Sequence, residues 1–368
     1  MMTQRAGHND GKPQGRNQMA RVSANDKIGI AIQGAGNVSG GHLRAYLHNP
    51  YCEVVAISSR TKEGAANRAR LAGLDPGKLA LYDDVDDLMA DANVEALSIC
   101  TPHRRHAQDA IAAAQAGKHM IVEKPIATNV ADLLAMDAAI TAAGVHSVCG
   151  FVLRWIPSVL ALLSLREEGM FGDLLFVQTD YWHNPEQSGY PGAEDYLRRK
   201  ADASAMQLGG CHAVDLARYL MGSDIVSVAA TSFSNIEDLP FPPNQAAVIQ
   251  FANGKGGRVS ALQEQWMPYQ FNVDLLGDGG GFRHNRFYSR KIDGALDWIT
   301  IPTITPDSGA VDHHPFQGEV DHFIDCLREN RESHANVRDS VNTHLAVFAI
   351  DQSCAEGGRQ VHLSELTA

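Results

Sequence analysis

The chain has 368 residues, 44% of them hydrophobic, and a net charge of −12 at pH 7. That length accommodates two ordinary domains with a large core. The acidic balance argues against nucleic acid as a partner, because such surfaces are basic. The six cysteines, at 52, 100, 149, 211, 326 and 354, form no C-x-x-C pair, and several sit inside apolar runs. Reduced, buried thiols are expected rather than disulfides or a metal site. No stretch is long and apolar enough to span a membrane, so the expected location is cytoplasmic. Residues 1–26 are rich in Asn, Gln, Gly, Arg and Lys. They lack the apolar region of a secretory signal and an adjacent arginine pair. They read as a disordered tail, with an arm around a neighbouring subunit as the alternative.

The run Ile28–Ile32 predicts a strand buried on both faces, as in parallel sheets. Gly34-Ala-Gly36-Asn37-Val38 follows, and then a helix through Leu43–Leu47. Strand, Gly-x-Gly and helix in that order point to a dinucleotide site. The first glycine makes the turn, the second admits the pyrophosphate, and the helix N-terminus attracts its charge. The third glycine position is Ser39. A second strand, Glu53–Ile57, ends at Ser58-Ser59-Arg60, where an acidic residue would select NAD by bonding the ribose 2′-hydroxyl. Ser59 and Arg60 suit a 2′-phosphate instead, a lean towards NADP over NAD. An Arg60 that stacks on adenine would serve NAD equally.

Helices are expected at Glu63–Leu71, Val85–Ala90 and His106–Ala116, and strands at Lys78–Tyr82, Val94–Cys100 and His119–Val122. Thr128 caps a further helix that ends before Gly144, and Val145–Cys149 closes the sheet. Alternating strands and helices predict a doubly wound parallel sheet over 27–149, with ligands beyond the C-terminal strand ends, where Gly34, Ser58, Thr101 and Lys124 lie.

Gly34-x-Gly36 with His42, Thr101-Pro102 with His106, Ala116-Gly-Lys-His119 and Glu123-Lys124-Pro125 together resemble the Gfo/Idh/MocA oxidoreductase family, from about residue 27 to the end of the chain. The resemblance implies hydride transfer between a nicotinamide cofactor and a secondary hydroxyl or ketone of a sugar, cyclitol or related polyol. It places Lys124 beside the nicotinamide and the reacting oxygen, where an ammonium bonds a developing alkoxide. The turn residues Gly34, Gly36, Asn37 and Val38, together with Ser59, Arg60, Thr101, Pro102, His106, Glu123 and Lys124, are the cofactor candidates. For His42 and His106 a helix-end packing role competes with cofactor contact.

The second domain is expected over 150–368. Pro157 starts a helix, stopped near Gly169 and Gly172. Arg154 is a candidate for holding substrate or cofactor, against an ion pair between the domains. Leu174–His183 reads as a long strand on which Tyr181 and His183 share a face and could meet a sugar ring, or form a sheet-surface pair. Ser204–Leu220 reads as a helix carrying Leu208-Gly-Gly-Cys-His212-Ala-Val-Asp215. His212 and Asp215 share a helical face. The family pattern Gly-x-His-x-x-Asp implies that His212 is the catalytic histidine, after a glycine pair that admits a close neighbour, and the Asp215 carboxylate could orient the imidazole or bond a neighbouring substrate hydroxyl. One departure stands out: the family's aspartate four residues before the histidine is Leu208, which can neither relay a proton nor polarise the imidazole. That leaves open an enzyme with tightly held cofactor that oxidises and re-reduces within one cycle for isomerisation, elimination or glycoside cleavage, or a nucleotide-binding regulator without catalysis.

Strands at Ile225–Phe233, Ala246–Ala252, Gly257–Trp266, Phe271–Leu276 and Gly281–Tyr288 predict a largely antiparallel sheet backed by helices. The resemblance implies homodimers or homotetramers through its open face. His313-His314 lacks metal-ligand spacing and no metal site is expected, although a loop histidine here could reach the active site. Helices follow at Gln317–Glu329 and Asp339–Cys354.

Overall fold

The structure, a computed structural model, describes residues 27–188, 196–199, 203–304 and 313–368. The expected tail at 1–26 lies outside them. The first body runs β1 (Ile28–Gln33), α1 (Ser39–His48), β2 (Cys52–Ser58), α2 (Lys62–Leu71), β3 (Ala80–Tyr82), α3 (Val85–Ala90), β4 (Ala96–Ile99), α4 (His106–Gln115), β5 (His119–Val122), α5 (Val130–Ala143) and β6 (Ser147–Cys149). Its six strands pair in parallel in the order β3-β2-β1-β4-β5-β6. Every residue of β1 is buried, as expected of a central strand covered on both faces. The order reverses between β1 and β4, and the crevice beyond their C-terminal ends is where such sheets bind ligands. The α5 cap is Asn129, not Thr128: its side chain accepts from the Asp132 N–H at 2.9 Å. Gly144, at φ 68°, ends that helix in the left-handed region.

The second body continues with α6 (Pro157–Glu167), β7 (Leu174–Trp182), a short α7 (Tyr196–Arg199) and α8 (Cys211–Met221). Then come β8 (Ile225–Ser232), β9 (Asn244–Phe251), β10 (Gly256–Leu262), β11 (Gln270–Gly277), β12 (Gly280–Arg283), β13 (Arg286–Ser289), β14 (Ile299–Thr300), α9 (Phe316–Glu329), α10 (Val337–Ala355) and β15 (Val361–His362). Nine strands form one sheet in the order β14-β13-β12-β11-β7-β10-β9-β8-β15. All its described pairings are antiparallel except β7 with β10. Two expectations change. The single strand Gly281–Tyr288 is a hairpin of β12 and β13, turned at His284, whose φ of 58° no glycine announces. The helix expected from Ser204 opens with a π turn, Met206–Gly210, before α8.

The last two helices return to the first body. A Cβ on Gly41 of α1 would lie 2.6 Å from the Phe316 ring of α9, so only glycine admits that contact. The Cys149 N–H donates to the Ala335 carbonyl at 2.7 Å. No described helix is long and apolar enough to cross a membrane.

Candidate active site

The crevice begins at the β1–α1 turn. Gly34 has φ 102°, and a Cβ there would sit 2.5 Å from the Cys100 carbonyl oxygen, so the turn requires glycine. A Cβ on Gly36 would meet only that same oxygen, at 3.9 Å, so this side of the turn is open. Ser39, in the third glycine position, donates from its hydroxyl to the Gly36 carbonyl at 2.6 Å and braces the turn. Helix α1 has Val38 at its N-cap and no side-chain cap; the Gly40 and Gly41 N–H groups already donate to the Asn37 and Val38 carbonyls at 3.1 and 2.9 Å, so an anion would meet the N–H groups before them. These features fit a dinucleotide pyrophosphate held by Gly36, Asn37 and Val38. Arg68 on α2, missed in the sequence, reaches back to the Ala35 carbonyl from Nε and Nη2 at 3.3 and 3.2 Å. Its helical context gave no signal that it turns towards the loop.

At the end of β2, Ser59 is half-buried and Arg60 exposed. The Thr101 hydroxyl donates to Asp109 at 2.7 Å, so Thr101 and Pro102 shape the next turn with that hydroxyl committed inside the protein. Of the two readings of His106, its surroundings favour helix-end packing. It is 1% exposed, and its two nitrogens face the Thr101 and Pro125 carbonyls at 2.7 and 2.8 Å. Glu123 is equally committed. His42 Nε2 donates to it at 2.9 Å and the Lys124 backbone N–H at 3.1 Å. Burial opposes its charge, but His42 and then Lys124 outweigh that and hold its carboxyl below the usual range.

Lys124 leaves β5 at the mouth of the crevice and crosses to the second body, where Nζ donates to the Leu208 backbone carbonyl at 2.8 Å. That carbonyl lies inside the π turn Met206–Gly210. So the position lacking an aspartate still presents an acceptor, from the main chain.

His212 follows on α8, 1% exposed, with neither ring nitrogen hydrogen-bonded. Burial, then the Lys124 charge and His314, push its pKa well below the ordinary histidine value, so the ring is neutral. Tyr181 stacks on it with centroids 5.8 Å apart and planes 22° apart. The glycine pair admits the chain's own residues rather than a ligand: a Cβ on Gly209 would lie 2.3 Å from the Tyr181 ring, and one on Gly210 2.6 Å from Ala261.

His183 lies beside Tyr181, with a hydroxyl-to-Nδ1 distance of 3.4 Å. Burial, with Lys124 and His314, lowers its pKa to about 4. Tyr269, also missed, closes this wall. It is 7% exposed, its hydroxyl is unpartnered, and its ring meets both Tyr181 and His183 edge-on at 5.5 Å. Its position just before β11, the strand that pairs with β7, was its signal. The structure therefore brings together Lys124, His212, Tyr181, His183, Tyr269 and His314. Among the described residues, no group of three or more His, Cys, Asp or Glu side chains is arranged to hold a metal ion.

Arg154 and Asp215, the candidates for holding substrate, do not join them and bond each other instead. Arg154 is 2% exposed and donates to Asp215 from Nε and Nη2 at 2.7 and 2.6 Å, to Asp339 at 3.0 Å and to the His334 carbonyl at 2.6 Å. Burial disfavours its charge, yet Asp215 and then Asp339 more than offset that and raise its pKa. Tyr219 covers its guanidinium at 4.3 Å. A buried arginine draws in the nearest carboxylates, and the shared helical face with His212 does not reach far enough to turn Asp215 towards substrate.

Residues 28–151 match a family model described as oxidoreductase family, NAD-binding Rossmann fold, and residues 159–283 match the GFO/IDH/MocA C-terminal domain. A D-apiose dehydrogenase of Paraburkholderia graminis is 28% identical over 360 residues, covering 92% of this chain and 90% of that protein. The scyllo-inositol 2-dehydrogenase (NAD(+)) of Bacillus subtilis is 24% identical over 321 residues, covering 83% and 87%. A levoglucosan dehydrogenase solved with NADH and levoglucosan superimposes with a TM-score of 0.80 at 22% identity, over 92% of this chain and 99% of that one. Matched in both of its bodies, the chain belongs to the Gfo/Idh/MocA oxidoreductases, with their NAD-binding Rossmann fold.

Proposed function

We propose that this protein is an NAD-dependent dehydrogenase that interconverts a secondary hydroxyl and a ketone on a sugar, cyclitol or related polyol. The observation that carries the reading is the convergence of Lys124 with a neutral, unpartnered His212 at the mouth of the dinucleotide crevice. The names of the relatives support the carbohydrate class. NAD, when bound at Gly36, Asn37 and Val38, supplies the hydride acceptor. Lys124 has one ammonium proton on the Leu208 carbonyl and two left for the reacting oxygen, whose developing negative charge it stabilises. His212 takes the hydroxyl proton on an imidazole nitrogen that no protein group occupies. Tyr181, His183 and Tyr269 form the aromatic wall against which the sugar ring lies.

Ser59 and Arg60 keep NADP as the finer proposal. Side-by-side titration with the two nucleotides decides it: tighter NADP binding that weakens in Arg60→Ala supports it, and equal weakening for both nucleotides removes it. We also infer a cytoplasmic homodimer or homotetramer joined through the open sheet face, which light scattering and a charge on exposed Val248 would test. A second reading, redox cycling with retained cofactor, is favoured by Leu208 standing at the aspartate position. Nucleotide found by mass spectrometry after extensive dialysis would support it. The deciding experiment for the first reading is Lys124→Ala, which should bind NAD as the parent does while turnover of a responsive polyol falls at least about a hundredfold. Unchanged turnover would remove the lysine from the reaction.

A further inference from the structure

Helix α10 holds supports of both Lys124 and His212. His344, fully buried, faces the loop that carries Lys124. Its Nδ1–H donates to the Ser340 carbonyl at 2.9 Å, and its Nε2 accepts the Ile126 N–H at 3.2 Å, two residues past the lysine. Those partners fix one tautomer. Seven residues on, Asp351 faces the π turn. One carboxylate oxygen accepts from Gln207 at 2.6 Å and the other from Gln245 at 2.8 Å. Gln245 in turn accepts the Met206 N–H at 2.9 Å, at the first residue of the π turn. Seven residues are two helical turns, so His344 and Asp351 lie on one face about 10.5 Å apart along the axis. Phe151 sits between this face and the site, stacked on His344 at 5.6 Å and edge-on to His212 at 6.0 Å.

We infer that α10 is the positioning element of the active site: His344 sets the lysine loop, Asp351 sets the π turn, and their fixed spacing holds the Leu208 carbonyl against Lys124. At position 208 the main chain thereby anchors Lys124 without supplying the charge or proton relay of a carboxylate, and a rigid helix is needed because a main-chain acceptor has no rotamers with which to adjust. The kinetic part rests on the dehydrogenase reading; the geometric part does not. Gln207 supplies an internal control. Its Oε1 is buried and unpartnered, so its amide can flip. In Asp351→Asn the new amide donates to the flipped Gln207 and still accepts from Gln245, and the tie survives. In Asp351→Leu both bonds vanish.

The test combines a crystal structure with kinetics of the whole protein. In Asp351→Leu the Lys124–Leu208 contact should open beyond hydrogen-bonding distance, while Asp351→Asn keeps it. With a polyol that the parent oxidises, Asp351→Leu should lower kcat about tenfold per NAD-binding site, with KM and NAD affinity within about twofold. The primary deuterium isotope effect on kcat should rise, and Asp351→Asn should restore most of the rate. A merely structural role would reduce the number of NAD-binding sites and leave the isotope effect and the rate per site unchanged. That result, or an intact contact in Asp351→Leu, overturns the inference. The double variant Gln207→Leu with Gln245→Leu cuts the same tie from the other end, with the same expected outcomes, if Asp351→Leu does not fold. If no polyol is oxidised by the parent, the dehydrogenase reading fails, and the crystal structures still decide the role of α10.

Discussion

Asp215→Asn separates a substrate ligand from a buried counter-ion. The two side chains are nearly isosteric, so the change removes charge and one acceptor while keeping volume. In the parent, Nε and Nη2 of Arg154 occupy the two oxygens of Asp215 at 2.7 and 2.6 Å, and Asp339 takes a further bond at 3.0 Å. In the variant an amide nitrogen faces one of those guanidinium donors, and a donor opposes a donor. Breaking one side of a buried ion pair costs about 3–5 kcal/mol. Asp339 remains and its side chain is 29% exposed, so the lower end of that range applies. For a chain of 368 residues, about 3 kcal/mol corresponds to a fall in melting temperature of roughly 4 °C. Scanning calorimetry with bound NAD held constant would read it, and KM for the responsive polyol should stay within about twofold. A variant that melts with the parent while its KM rises about tenfold would refute the counter-ion argument and return Asp215 to the substrate.

Three other outcomes follow from the same structure. His212→Asn should lower kcat by about two to four orders of magnitude with NAD affinity unchanged, measured by turnover beside nucleotide titration, if the unpartnered imidazole is the proton acceptor proposed above. Gly41→Ala places a methyl 2.6 Å from the Phe316 ring and should cost about 1–3 kcal/mol, read by thermal melting and partly relieved by adding Phe316→Leu. Burial holds His344 at about 4 against an ordinary 6.5, so the unfolded chain takes up its proton first. The stability this histidine contributes is complete above pH 6.5 and is lost as pH falls towards 4, by roughly 3 kcal/mol in all. Denaturant titrations of His344→Gln should show a shallower acid decline than the parent; parallel declines would exclude His344 as a source.

Much of this was legible because the signals are local. A buried apolar strand, Gly34-x-Gly36 and the run into Glu123-Lys124-Pro125 depend on neighbours in sequence, and the first sheet followed the alternation of strand and helix. The second sheet was legible as a run of strands, apart from the turn at His284, where a non-glycine residue adopts positive φ. Long-range pairing was not legible. Nothing near Arg154 announces that Asp215 and Asp339, 61 and 185 residues away, would close around it. The helical spacing of Leu208 and His212 assumed an α-helix, and the π turn changed what position 208 offers from a side chain to a carbonyl. Tyr269 and Arg68 reach their places only once strands and loops are assembled.

The seat of Phe316 on Gly41 and the bond from Cys149 to Ala335 bear on how the chain is made. Synthesis delivers the nucleotide-binding body first, but at that stage one face of α1 and the outer edge of β6 have no cover. Both wait for α9 and the segment after it, which leave the ribosome nearly last. The early half therefore spends most of translation as an unfinished sheet with an open edge, the form most exposed to wrong pairing. A chain cut short before Phe316 keeps all of the glycine turn and Lys124 and still lacks the pieces that seal them. Nucleotide binding is accordingly expected to appear late in synthesis, with the arrival of the C-terminal helices.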